Sequence, residues 1–161
     1  MTKKDIQKLL DSANKKISLD NVALTSINFK RDRELMPIVR IAVDKMKLLK
    51  HNDSLPVNTT VIEFPNNNTG KTVYVTVIEY TVAVEILDES KENTYATIEL
   101  SVQAEYLSNE KPSEEEVKVY AEHNSLVHVY PYIRNFIHNI TKDAGLPPIV
   151  MPIKPPIMAT A

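Results

Sequence analysis

A chain of 161 residues, 43% hydrophobic and 25% charged, suits one soluble domain around a single core, and a net charge of -2 gives no general attraction to nucleic acid or acidic membranes. The absence of cysteine excludes disulfides, thiolate metal sites and cysteine nucleophiles, and fits a reducing cytosol. Only two glycines stand against ten prolines, which leaves little material for phosphate-cradling loops that need backbone at positive φ.

Lys3 and Lys4 resemble the start of a signal peptide, but Gln7, Lys8, Asp11 and Ser12 interrupt any apolar core behind them. No stretch approaches the ~20 apolar residues of a membrane span. Residues 4–14 are predicted as a short charged helix with Ile6, Leu9, Leu10 and Ala13 on one stripe. This makes 1–17 a helical extension ahead of a main domain over 18–161.

Strands are predicted over 22–29, 36–49, 71–87 and 94–107, rich in Val, Ile, Thr and Tyr. The last alternates cleanly, with Ala96, Ile98, Leu100, Val102, Ala104 and Tyr106 on one side, as in an antiparallel sheet with one wet face. In the third, Val73, Val75 and Val77 occupy one face and Ile78, Tyr80, Val82, Val84 and Ile86 the other. A bulge would produce this, as would a strand covered on different faces along its length. Such a strand spans roughly 50 Å at ~3.3 Å per residue, which suits an assembly whose other subunits cover part of the sheet. Residues 55–70 are predicted as an insertion or hairpin arm, with an extra strand over 57–64 and a polar turn over 65–70.

After Pro112 the period becomes helical. Ser113 caps a first turn carrying Glu114, Glu115 and Glu116, matched to the helix dipole. Leu126, Val129, Tyr130, Ile133, Phe136, Ile137 and Ile140 form the apolar stripe. Pro131 is expected to kink or restart this helix, and Gly145, followed by Pro147 and Pro148, to end it. The tail over 146–161 is apolar and proline-rich, either a covering strap or a surface for another chain. The fold class is α+β, a four-stranded antiparallel sheet with a long C-terminal helix.

Catalytic patterns are weak. Asn68-Thr69-Gly70-Lys71-Thr72 resembles the end of a phosphate-binding loop, but Pro65 stands where that motif needs glycine and a strand follows, so a β-turn is expected. His51, His123, His128 and His138 make no metal-binding spacing with one another. Glu79, Glu85, Glu99 and Glu105 lie on strands and are expected on a solvated face. The mixed run Lys30-Arg31-Asp32-Arg33 is a loop candidate rather than a nucleic-acid site.

The order of elements resembles the SecB family of protein-export chaperones. Val129-Tyr130-Pro131-Tyr132-Ile133-Arg134 is similar to the family's Leu-Phe-Pro-Tyr-Ala-Arg segment. Asp143-Ala144-Gly145-Leu146-Pro147-Pro148-Ile149 is similar to its Gly-Phe-Pro-Pro loop, with Ile149-Val150-Met151-Pro152-Ile153 as the apolar continuation, and Ser26-Ile27-Asn28-Phe29 to its first-strand Ile-Ser-Phe region. The resemblance covers about residues 20–155 and is motif-specific over 129–153.

The resemblance implies an ATP-independent holdase: a cytoplasmic homotetramer, built as a dimer of dimers, that holds unfolded polypeptide clients in apolar grooves. It implies no enzyme activity, cofactor, metal, nucleic-acid partner or membrane insertion. The implied peptide-binding residues are Tyr130, Ile133, Phe136, Ile137, Leu146, Ile149, Val150, Met151 and Ile153. Glu99 matches an acidic position that meets the export motor SecA, but Ser26 and Lys30 stand where the family has acidic residues, so motor docking is expected to be weak or absent. The family usually ends in a second helix, which is not expected of the proline-rich tail over 146–161, and the 55–70 insertion is larger than the family's. General export, service to one client such as an antitoxin, a structural protein on the same fold, and a small-molecule binder or enzyme in the sheet–helix cleft are the functional readings.

Overall fold

A computed structural model describes residues 1–31, 49–51, 56–66, 69–87, 93–146 and 149. The strand predicted over 36–49 (apart from Leu49), Asp32 and Arg33 of the basic run, and the tail beyond Ile149 lie outside the described residues. Helix α1 (Lys3–Lys16) starts at a capping box, in which Thr2 Oγ1 accepts from the Asp5 amide and Asp5 accepts from the Thr2 amide. Its Ala13 is buried against the main domain.

The strands are β1 (Ser18–Arg31), β2 (Leu49–His51), β3 (Pro56–Asn66), β4 (Lys71–Leu87) and β5 (Thr94–Ser108). Among the described residues every pairing is antiparallel, in the order β1-β5-β4, with β2 and β3 both on the far side of β4, so five strands fill four positions. The fold is the α+β arrangement expected, a sheet four positions wide beside a long C-terminal helix. Gly70, at φ 66, turns the chain from β3 into β4, where the sequence showed the incomplete phosphate-loop motif.

The phase change in β4 has no bulge behind it. The ladder to β5 runs unbroken from Tyr74↔Ser108 to Ile86↔Ala96. Ile78, Tyr80, Val82, Val84 and Ile86 all face the helical layer and are buried. Val73, Val75 and Val77 lie on the opposite, outer face and are half-buried. The strand is apolar on its outer face at one end and on its inner face at the other, which is the second of the two readings the alternation allowed.

The helical layer is α2 (Glu114–Tyr120), a π-turn (Ala121–Ser125) and α3 (Leu126–Asp143). Ser113 caps α2 through a second capping box with Glu116. The helix does not restart at Pro131, since α3 is helical on both sides of it. Pro131 is exposed, so the Val127 carbonyl it leaves without a donor lies on the water side. The helical irregularity falls instead at the π-turn. Gly145, at φ 71, closes α3 with Leu146 N–H on Thr141 O (2.9 Å) and Gly145 N–H on Lys142 O (3.0 Å), a full Schellman motif.

Candidate functional site

Two surfaces carry the features that the sequence singled out: the seam between helices and sheet, and the outer face of the sheet. In the seam, Tyr80 and Tyr106 project from β4 and β5 against the π-turn. Tyr80 Oη donates to Ser125 Oγ, Ser125 Oγ donates to Ala121 O (2.7 Å), and Tyr106 Oη donates to Ser125 O (3.3 Å). A π-turn misaligns backbone carbonyls, and these hydroxyls satisfy two of them inside the core. Burial pushes the Tyr80 and Tyr120 phenols up to about 12 and Tyr106 higher still, so all three stay protonated donors. Tyr106 meets Tyr120 edge-on at 5.3 Å, and Tyr120 Oη lies 3.2 Å from His128 Nδ1.

At the far end of α3, Thr141 Oγ1 accepts from the Ile149 amide at 3.1 Å, and Leu146 and Ile149 are buried. Of the residues named for peptide binding, Tyr130, Ile133, Ile137, Leu146 and Ile149 are buried within this chain, with Ile133 and Ile137 fully enclosed. Phe136 is half-buried at the edge of that core. Val150, Met151 and Ile153 lie outside the described residues. The helix stripe thus closes on its own sheet over most of its length.

Among the described residues the large apolar side chains that face solvent are Met1, Ile27 on β1, Ile62 and Phe64 on β3, and Val127 and Tyr132 on α3. None of these was named as a binding residue. Ile62 and Phe64 flank Glu63 within the insertion, where the sequence predicts an extra strand over 57–64 but not which of its side chains face solvent.

The outer face also carries Glu79, Glu85, Glu99 and Glu105, which share it by register, as expected of a solvated face. Glu99 accepts from Asn28 Nδ2 at 2.8 Å, and Glu105 accepts from Gln103 Nε2 at 3.1 Å. Ser26 and Lys30 pair with Ser101 and Thr97 on β5, so they flank Asn28 and Glu99 on that same face.

A solvent-open cleft of about 600 Å³ lies between α1 and the start of α2. At its wall Glu116, only 5% exposed, accepts from Lys16 Nζ (2.8 Å), Ser12 Oγ (2.5 Å) and the Ser113 amide (2.8 Å). Burial by itself would raise this carboxyl. The three hydrogen bonds and the Lys16 charge outweigh it and hold the group at about 2. This is a clasp joining helix to helix, with every partner accounted for. Among the described residues no three His, Cys, Asp or Glu side chains are grouped to hold a metal ion, and no helix is long and apolar enough to cross a membrane.

No protein-family model matches the chain. An uncharacterized protein of Methanocaldococcus jannaschii is 31% identical over 93 residues, 58% of this chain, and the match spans 56% of that relative's length. Among solved structures, the SecB-like chaperone Rv1957 of Mycobacterium tuberculosis, in complex with a ChAD peptide from the HigA1 antitoxin, superposes with a TM-score of 0.64 over 94% of this chain and 96% of that one, at 19% identity. A protein of unknown function from Streptococcus agalactiae overlays at a TM-score of 0.36, too distant to bear on the fold. The fold of this chain is therefore SecB-like.

Proposed function

We propose that the chain is a SecB-like holdase, a non-enzymatic chaperone that binds non-native polypeptide without nucleotide. The observation that carries this reading is the fold likeness over 94% of the chain to a SecB-like chaperone held with a peptide. Exposed Ile27, Ile62, Phe64, Val127 and Tyr132 supply apolar surface of the kind such binding needs. Assembly into a homotetramer follows from the same family reading, as does a place in the cytoplasm. Within the family, service to one dedicated client is favoured over general export: the neighbour's peptide comes from an antitoxin, and Ser26 and Lys30 weaken the acidic outer face that would attract SecA. Each such charge change is worth ~0.5–1 kcal/mol at a surface.

The test is suppression of aggregation of thermally unfolded luciferase, with and without ATP. Suppression that ATP does not alter is expected. Unchanged aggregation at several-fold molar excess of the chain would overturn the reading.

A further inference from the structure

The outer face of the sheet carries an apolar strip at the end nearest the turn from β3 to β4. By register Ile62, Val75 and Leu107 stand in one row across β3, β4 and β5, and Phe64 stands beside Val73 in the next. Ile62 is 41% exposed and Phe64 50%, while Val73, Val75, Val77 and Leu107 are half-buried.

Charge bounds this strip along β4. Lys71, Val73, Val75, Val77 and Glu79 fall at alternate positions on the same face, with Lys71 and Glu79 both exposed and equidistant from Val75. At ~3.3 Å per residue the cation and the carboxylate are roughly 26 Å apart. Among the described residues Lys71 makes no ion pair, and Glu79 accepts from Asn58 Nδ2 at 3.4 Å but meets no cation.

Such a strip is self-complementary. Two sheets packed face to face stand ~10 Å apart with their inner side chains in contact. A two-fold axis lying between the faces, crossing the strands at Val75, lays β4 antiparallel over β4 of a second copy. It sets Val75 on Val75, Ile62 on Ile62 and Val73 on Val77, and it brings each Lys71 over the partner's Glu79. Glu105 meets no carboxylate, because β5 ends at Ser108 before the row that would oppose it. An axis along the strands would instead set Lys71 on Lys71 and Glu79 on Glu79. The charges select one arrangement.

We infer that this face docks a second copy of the chain in that antiparallel, face-to-face arrangement. The contact uses the face of the sheet and neither its edges nor the helical layer. It goes beyond the holdase reading and does not depend on it. The strip is about three strands, or ~14 Å, wide, well short of the ~800 Å² per partner of a standard interface, so association is expected at about 10–100 µM. The two charge pairs fix orientation more than affinity.

The test is charge exchange read by sedimentation velocity from about 5 to 500 µM. The wild-type mass is expected to rise with concentration. Lys71→Glu and Glu79→Lys, both at exposed positions and checked for fold by circular dichroism, are each expected to weaken the association about fivefold or more, because each sets like charges together twice. An equimolar mixture of the two variants is expected to recover it, since every contact between unlike copies then pairs opposite charges. Ile62→Asp, on the axis, is expected to abolish it. A wild-type mass constant over the range, single variants that associate like the wild type, or a mixture that recovers nothing would each overturn the inference. So would an Ile62→Asp chain that associates normally but no longer protects luciferase, which would give the strip to a client instead of a second copy.

Discussion

Tyr80 on β4 donates its hydroxyl to Ser125 at the end of the π-turn, fixing the helical layer to the sheet inside the core. Ser125→Ala leaves the Tyr80 hydroxyl and the Ala121 carbonyl buried without each other's relay, and is expected to cost about 1–3 kcal/mol in urea unfolding. Adding Tyr80→Phe should cost clearly less than the sum of the single changes, since both remove the same bond. Additive losses would show that the two groups act independently.

Glu116 makes stability depend on acid. Its carboxyl is held at about 2, below its ordinary 4.5, so its contribution is fully present above pH 4.5 and is lost as pH falls from 4.5 through 2. Glu116→Gln is expected to lower the Tm at pH 7 and to flatten the Tm-against-pH curve over that window. The magnitude is on the order of 1–2 kcal/mol. A wild-type curve already flat between pH 4.5 and pH 2 would contradict the clasp.

Core and surface should separate sharply. Ile133 is fully buried, and Ile133→Ala is expected to cost about 2–5 kcal/mol. Phe64 is half exposed, and Phe64→Ser is expected to change stability by no more than about 0.5 kcal/mol. Guanidinium unfolding of the two variants checks both. An Ile133→Ala chain as stable as wild type would place that residue in an open groove instead of the core.

The elements were legible where local chemistry decides them. Ser113 with Glu116, Gly145, and the alternation from Ala96 to Tyr106 are each read from a few neighbouring residues, and the structure places a cap, a Schellman turn and a half-buried strand there. That the helix continues through Pro131 depends on which side of it faces water, which sequence spacing does not reveal. The π-turn has no local signal: it is held by Tyr80 and Tyr106 from distant strands. In β4, two apolar faces overlap near Val77 and Ile78, and only the unbroken ladder to β5 shows that the strand continues straight. Exposure was the least legible property, because it depends on which apolar stripe the chain's own sheet covers: Ile133 and Ile137 are enclosed, whereas Ile62 and Phe64 face solvent.

The most direct measurement is calorimetric titration of the chain with reduced, carboxymethylated α-lactalbumin, which cannot fold, alongside the native form of the same protein. Micromolar or tighter binding to the unfolded form, with a negative heat-capacity change from apolar burial and no binding to the native form, is the expected result. Equal affinity for both forms, or none for either, would contradict a holdase.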